Sequence, residues 1–186
     1  PKPSSAASDV YKRQVLIDSG STNLRIAEAL PPDRDMTVVT NAPAVAAALA
    51  GRPRCTLVVL GGQVHPAIGA AFGPRTLRDL DGIWADIAFI GSCGLAAEPG
   101  LTVFDAEEAE FKRRLLAVSA RAAAAMTADK LGTAAPFVVG PATALHHLII
   151  EAGTPAPMLD ALVPSGLRIH RCLLYTSPSP RDRQKS

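Results

Sequence analysis

Short runs of aliphatic residues alternate along this chain with stretches in which apolar residues recur every three or four positions. Residues 15–17 (Val-Leu-Ile) form the first run and predict a strand, and residues 24–30 have a helical spacing that ends before Pro31. Repeated strand–helix units are typical of folds in which helices cover a parallel sheet. Aromatic residues make up only 4% of the chain, so the core has to consist of Val, Leu, Ile and Ala, as in buried parallel strands. The pattern therefore predicts an α/β fold of the three-layer, Rossmann-like kind, with an open, mostly parallel sheet and helices on both faces.

The same patterns predict where the other elements lie. Further strands are predicted at residues 36–40, 56–60, 70–72, 86–90, 124–127, 148–150 and 167–170, and further helices at 42–50, 73–80, 106–116, 140–145 and 157–163. Asn41 is expected to cap the second helix. Asp105, followed by Glu108 three residues later, has the spacing of a capping box. The alanines at 122–125 also have a high helix propensity, but the alternation of strands and helices favours a strand there.

The two ends of the chain lack this patterning. Residues 4–14 can be encoded by a DNA sequence that ends in GATGTGTATAAGAGACAG. The reverse complement of that sequence can encode the start of residues 172–182, if the codon of Arg171 ends in C. Both ends therefore resemble the translated transposase adapters used in DNA sequencing, and a pair of natural disordered tails is the alternative. We predict disordered tails at 1–14 and 172–186, and one domain at 15–171.

Leaving out the predicted tails changes the charge of the chain. The whole chain has 19 basic and 17 acidic residues, whereas the predicted domain keeps 13 basic and 15 acidic residues, a net charge of −2. No basic face of the kind that binds DNA is visible in the domain. The mildly basic composition of the whole chain thus gives no support for direct DNA binding.

Histidine, cysteine and hydropathy patterns limit the cofactors and the location. The histidines at 65, 146, 147 and 170 and the three cysteines fit no metal-site spacing, so we expect no metal and no cofactor. Three cysteines cannot all pair with one another, which favours a reduced, cytoplasmic state. No apolar run approaches the ~18 residues of a membrane helix, and no secretory signal is visible, so we expect no membrane association.

Small polar residues follow the first predicted strand: Asp18, Ser19, Gly20, Ser21 and Thr22. Ligands of open parallel sheets bind at the carboxyl ends of the strands, and the N–H groups at the start of a helix attract anions. Gly20 allows the backbone to approach a phosphate closely. The segment therefore predicts an anion-binding loop, and capping of the helix by Ser21 or Thr22 is the alternative.

The loops after two later strands contain further candidate residues for the anion site, and two lysines are further candidates. These are Asn41, Gly91, Ser92, Cys93, Gly94, Lys112 and Lys130. A lysine is a compact positive charge that suits a phosphate. The alternatives are a helix cap for Asn41, a tight turn for the glycines, a small buried thiol for Cys93 and plain solvation for the lysines. Taken together, these loops predict one pocket for a small anion.

Six segments resemble, in their order and spacing, the C-terminal effector-sensing domain of DeoR-family transcriptional regulators. They are VLIDSGSTN, MTVVTN, LVVLGGQVHP, DIAFIGSCGL followed by GLTVFDAEEAEFKRRLL, and ADKLGTAAPFVVGP, and they cover nearly all of residues 15–171. The resemblance implies a fold related to ribose-5-phosphate isomerase and glucosamine-6-phosphate deaminase. It implies a phosphorylated sugar or related small anion as the effector, and a homo-oligomer. It also implies that DNA is contacted only through an N-terminal winged helix-turn-helix, which this chain lacks.

The resemblance assigns functions to residues by position. It implies that Asp18–Thr22 bind the anion, that Asn41 and Gly91–Gly94 line the sugar, and that Asp105, Glu108, Lys112 and Lys130 complete the site. The residues just before Lys130, Thr127 to Asp129, differ from those usual at these positions in the family. The resemblance thus adds Asp105 and Glu108 to the pocket predicted from the strand ends and the lysines.

Two other functions fit parts of the sequence. A sugar-phosphate isomerase or amino-sugar-phosphate deaminase of the same fold would move a proton next to a carbonyl group, and Asp105, Glu108 and Lys112 have suitable chemistry. Two of these residues already fit a capping box. The run DSGSTNL also resembles an aspartic-protease loop, but such enzymes need two aspartates, no second such loop occurs, and helical spacing follows Thr22. The sequence therefore favours an effector sensor, not an enzyme.

Overall fold

A computed structural model describes residues 13–172 of the chain. Its strands are β1 (Arg13–Ile17), β2 (Met36–Thr40), β3 (Cys55–Val59), β4 (Gln63–His65), β5 (Ala70–Phe72), β6 (Ile87–Phe89), β7 (Gly94–Leu95), β8 (Leu101–Val103), β9 (Ala122–Ala125), β10 (Phe137–Gly140), β11 (His147–Glu151) and β12 (Arg168–Cys172). Its α-helices are α1 (Ser21–Glu28), α2 (Pro43–Leu49), α3 (Pro74–Asp81), α4 (Ala106–Ala117) and α5 (Pro157–Asp160). Short 3-10 helices cover Ala128–Lys130, Ala142–Ala144 and Val163–Ser165. Within this part of the chain, the helices are too short or too polar to cross a membrane.

Seven strands form the main sheet, in the order β12-β11-β9-β6-β1-β2-β3. Each neighbouring pair of strands in this sheet is parallel. Helices α1 and α2 pack on one face, and α3, α4 and α5 contribute apolar side chains to the core on the other face. The predicted α/β fold, with an open parallel sheet between two helical layers, is confirmed.

The first strand shows why the aliphatic runs are continuous and do not alternate with polar residues. Leu16 belongs to the larger apolar core, whereas Val15 and Ile17 belong to the core beneath α1 and α2. Successive residues of a strand point to opposite faces, so a strand that is covered on both faces needs apolar residues at each position. The last three residues of β1 are therefore all aliphatic and all buried.

The strands that follow β1 are added first on one side of it and then on the other, and this reversal creates a topological switch point. The chain first runs outward through β2 and β3, and it then returns to the other side of β1 and continues through β6, β9, β11 and β12. The backbone N–H of Asp18 donates to the oxygen of Phe89 at 3.1 Å and joins the ends of β1 and β6. Ligands of open α/β sheets bind outside the carboxyl ends of the strands at such a point.

Two small antiparallel sheets were not predicted in full. One has the order β10-β8-β7 and the other pairs β4 with β5, of which only β5 was predicted. The missed strands have two to four residues each, which is too short for a periodic pattern to stand out. The first of these sheets matters for function because β8 leads directly into α4.

Three residues of the predicted tails lie in strands of the main sheet. Arg13 and Gln14 pair with β2, and Cys172 pairs with Glu151 of β11. Backbone pairing continues along a neighbouring strand regardless of side-chain pattern, which explains why these strands exceed the apolar runs. The rest of the predicted tails lies outside the described residues.

The cap predicted for α2 is wrong. Ala42 occupies the N-cap position of α2, and no side chain caps it. The side-chain amide of Asn41 donates instead to the backbone oxygen of Ala71, at 3.0 Å, and Asn41 is buried. Pro43 at the first position of the helix reduces the need for a cap, because a proline has no N–H group to satisfy.

The cap predicted for α4 is confirmed. The Asp105 carboxylate accepts a hydrogen bond from the backbone N–H of Glu108, at 2.9 Å. We expect Asp105→Ala to lower the free energy of unfolding by about 1 kcal/mol, because the N–H loses its partner. Asp105→Asn is the matched control and should stay within a few tenths of a kcal/mol of the wild type, since Asn caps as well as Asp. Chemical denaturation measures both, and equal effects of the two substitutions would contradict the assigned cap.

Candidate functional site

A cavity of about 200 Å³ lies at the carboxyl ends of β1 and β6, at the switch point of the sheet. It is lined by Ser19, Gly20, Ser21, Thr22, Asn23, Ile68, Gly91, Ser92, Cys93, Glu108, Lys112, Ala125 and Lys130. The lining thus comes from segments that are far apart in the sequence: the loops after β1 and β6, the end of β9, and α4. The structure brings ten of the fourteen predicted site residues to this one cavity.

The start of α1 forms one wall of the cavity. Gly20 is its N-cap residue and has a φ of 120° and a ψ of 151°, a conformation that L-residues rarely adopt. Ser21 and Thr22 do not cap the helix, and no side chain among residues 13–172 does so. The N–H groups of the first turn of α1 therefore remain available, at the positive end of the helix dipole, to an anion in the cavity.

A buried cluster of charges lies beneath the cavity. Lys112 of α4 donates through Nζ to a carboxylate oxygen of Asp18, and the same ammonium group contacts Glu108 Oε1 at 2.9 Å. The side chains of Asp18 and Lys112 are fully buried, and that of Glu108 is 9% exposed. Asp18 also accepts a hydrogen bond from the backbone N–H of Gly91, at 2.9 Å. Asp18 therefore joins the ends of β1 and β6 to α4 and is more a support of the pocket than part of its lining.

The two carboxylates keep Lys112 charged. Burial is the largest single influence and lowers the pKa of Lys112, but the charges and hydrogen bonds of Asp18 and Glu108 together outweigh it. The pKa of Lys112 is therefore raised above its ordinary value of 10.5. A protonated ammonium group between two carboxylates is largely neutralised, so Lys112 offers an incoming anion less than a free lysine would.

Lys130, at the end of the 3-10 helix that follows β9, also lines the cavity. Its ammonium group donates to the backbone oxygen of Ser92, at 3.1 Å, and this contact orients the side chain. An ammonium group has three donors, so capacity remains for a ligand. Ser92 in turn donates to the oxygen of Gly94 at 2.8 Å, which fixes the loop after β6. Lys130 is thus better suited to bind an anion directly than Lys112 is.

Three further predicted site residues do not line the cavity. Asn41 follows β2, one strand away from the switch point, and its amide is used by β5. Gly94 is buried in β7, where it pairs with Thr102. Asp105 caps α4 through its side chain. Each of these residues is engaged in holding an element in place, which sequence spacing alone does not reveal.

Three lining residues were missed by sequence reasoning. Asn23 directly follows the predicted loop and lies on the buried side of the first turn of α1. Ala125 ends β9, so the rule that ligands bind at strand ends applied to it, but an alanine carries no chemical signal. Ile68 comes from the turn between β4 and β5, which no strand-end pattern selects.

Metal-ligating side chains do not converge on the site. In the part of the chain that the structure covers, no three His, Cys, Asp or Glu side chains are grouped so that they could hold a metal ion. The closest pair of histidines, His147 and His170, joins β11 to β12 at 3.0 Å between ring nitrogens.

Comparison with known proteins identifies relatives among transcriptional regulators. The chain is 23% identical over 158 residues to the glycerol-3-phosphate regulon repressor of Escherichia coli (strain K12), covering 85% of this chain and 63% of the relative. It is 27% identical over 137 residues to the HTH-type transcriptional regulator GolR of Listeria innocua, covering 74% of this chain and 54% of the relative. A further HTH-type transcriptional regulator, from Haemophilus influenzae, is 27% identical over 141 residues, with 76% and 55% covered. The chain therefore spans little more than half the length of these relatives.

A family model gives the same answer for most of the chain. The model described as "DeoR C terminal sensor domain" matches residues 5–152. This range includes the loops after β1 and β6, the helix α4 and Lys130, and thus all the segments that line the cavity. The chain belongs to the DeoR C-terminal sensor domain family.

Proposed function

We propose that this chain binds a phosphorylated sugar or a related small anion in the cavity at the switch point, and that it thereby controls DNA binding by a transcriptional repressor. The observation that carries the proposal is the uncapped start of α1, which faces the same cavity as Lys130. Backbone N–H groups and an ammonium group are the donors that phosphate groups use in proteins. The names of the relatives support a regulatory function, since they are transcriptional regulators.

Binding has to be coupled to DNA affinity if the domain is a sensor. A ligand shifts an equilibrium between two arrangements only if it binds one of them more tightly. The cavity suits this requirement because its walls belong to separate elements, the loops after β1 and β6 and the helix α4. We propose that the ligand stabilises one arrangement of these elements, and that a homo-oligomer passes this change to paired DNA-binding domains.

An isomerase or deaminase of the same fold is the alternative function. A proton-transfer enzyme needs a base that is free to take up a proton beside the substrate. Glu108 is engaged with Lys112, and Asp105 is engaged as a helix cap. These contacts favour binding without catalysis. Incubation of the chain with ribose 5-phosphate or glucosamine 6-phosphate tests this, since turnover of either compound would favour the enzyme.

We expect Lys130→Met to weaken the binding of sugar phosphates by roughly tenfold, because a charge-assisted hydrogen bond to the phosphate is lost. Titration calorimetry with ribose 5-phosphate and glucosamine 6-phosphate, and with the same sugars without phosphate, measures the effect. Arg121→Met is the matched control, because it removes the same charge from an exposed residue at the amino end of β9, opposite the cavity. Equal loss of affinity in both variants would contradict a direct contact with Lys130.

A further inference from the structure

Asn23 borders the cavity from the first turn of α1. Its side-chain Nδ2 donates to the backbone oxygens of Ser19 and Phe89, each at 3.2 Å. Carbonyl oxygens only accept hydrogen bonds, so the NH₂ group has to face both of them. These two contacts fix the orientation of the amide, which is otherwise ambiguous for an asparagine.

This orientation leaves the Oδ1 atom of Asn23 without a partner. No donor among the described residues reaches it, and the residue is only 1% exposed. Buried polar atoms in folded proteins nearly always have a hydrogen-bond partner. Among residues 13–172, four other buried side-chain atoms also lack a partner, in Asn41, His65, Ser119 and Thr154, but none of these residues lines the cavity. The position of Asn23 at the cavity is therefore what points to a ligand as the missing donor.

The chemistry of Oδ1 determines which part of a ligand it can meet. A carbonyl oxygen and a phosphate oxygen both accept hydrogen bonds, and their negative partial charges repel. The phosphate group therefore belongs beside the N–H groups of α1 and Lys130, and Asn23 faces the uncharged part of the same molecule. A hydroxyl group is the donor that the carbon skeleton of a sugar or polyol supplies.

Resting on the function proposed above, we propose that Asn23 is a specificity-determining residue, whose Oδ1 accepts a hydrogen bond from a hydroxyl group of the effector. A purely structural function, in which Asn23 only ties the loop after β1 to the end of β6, explains the two bonds of Nδ2. It does not explain the unpaired Oδ1. The two functions differ in what they predict for ligands with and without hydroxyl groups.

Three probes, tested on the full chain, separate the contribution of the phosphate group to binding from that of the hydroxyl groups. They are inorganic phosphate, n-propyl phosphate and glycerol 3-phosphate. The last two have the same length and differ in their hydroxyl groups. By titration calorimetry, we expect the wild type to bind glycerol 3-phosphate about tenfold more tightly than n-propyl phosphate, because a buried acceptor gains its partner. In Asn23→Ala this preference should fall to about twofold or less, while the affinity for inorganic phosphate changes little.

The outcomes of this experiment distinguish a specificity-determining function of Asn23 from a purely structural one. If Asn23→Ala weakens all three probes equally and leaves the preference unchanged, the residue is structural and the inference is overturned. If the wild type binds phosphate but does not distinguish the two esters, the inference fails while the proposed function stands, and this comparison does not depend on whether the variant folds. If none of the probes binds, the proposed function fails, and the inference fails with it.

Discussion

Replacing Lys112 with methionine is expected to lower the free energy of unfolding by about 3–5 kcal/mol, because it leaves two buried carboxylates without a counter-charge. Asp18 and Lys112 are fully buried, and Glu108 is nearly so. The apolar stem of methionine fills most of the space, so the loss reflects charge more than packing. Urea denaturation of the wild type and the variant measures the difference.

Two comparisons test whether charge is the cause. The triple variant Asp18→Asn, Glu108→Gln and Lys112→Met removes all three charges and should recover part of the lost stability, since replacing a whole buried ion cluster is far less costly than breaking it. Arg114→Met, on the same helix, removes an exposed ion pair with Asp81 and should cost at most about 1 kcal/mol. If Lys112→Met costs no more than Arg114→Met, the buried cluster does not hold α4 to β1.

Gly91→Ala is expected to lower the free energy of unfolding by about 1–3 kcal/mol, the usual cost of overpacking, and to weaken ligand binding at the same time. A Cβ atom at this position would lie 2.5 Å from the backbone oxygen of Ser19 and 3.2 Å from Asp18 Oδ2 and Lys112 Nζ. The nearest atom is backbone and cannot swing aside. The methyl group therefore has to push the loop after β1 away from the loop after β6, and these two loops form the cavity.

Gly82→Ala provides the matched control for this substitution. Gly82 follows α3, has a φ of −84°, and a Cβ atom there would meet nothing within 4 Å. We expect this variant to keep its ligand affinity and to be as stable as the wild type or slightly more stable, because alanine restricts the unfolded chain. Thermal unfolding and calorimetry on both variants make the comparison. Unchanged ligand affinity in Gly91→Ala would show that the loop contact is not needed for the site.

The inner strands of the main sheet were predictable because they are covered on both faces. Burial on both faces favours mostly apolar runs, and the runs at residues 15–17, 36–40 and 148–150 are visible without any structure. The order of the strands was not predictable. Pairing of β1 with β6 depends on contacts between residues more than 70 positions apart, such as Gly91 with Asp18. The position of the switch point, and with it that of the cavity, follows only from that order.

The candidate site was predictable in part for the same reason. The loops after β1 and β6 follow recognisable strands, and most of the residues selected in them line one cavity. The resemblance to the DeoR family added Asp105 and Glu108. Lys112 was a candidate before the resemblance was considered, and the structure gives that residue a partner 94 positions away, Asp18. From the sequence, Lys112 was predicted to offer its positive charge to an anion. In the fold, the carboxylates of Asp18 and Glu108 neutralise that charge. Asn23 was not predicted, because the feature that distinguishes it is one unpaired atom, and a sequence does not show which atoms are paired.

Amide NMR of the wild-type chain during titration with ribose 5-phosphate and glucosamine 6-phosphate tests the central claim most directly. That claim is a single anion pocket formed by the start of α1, the loop after β6 and Lys130. We predict that the largest shift changes occur at the amides of residues 19–23, 91–93 and 130, and that they are much smaller with the same sugars lacking phosphate. Shift changes confined to other parts of the fold, or none with either sugar phosphate, would contradict the account.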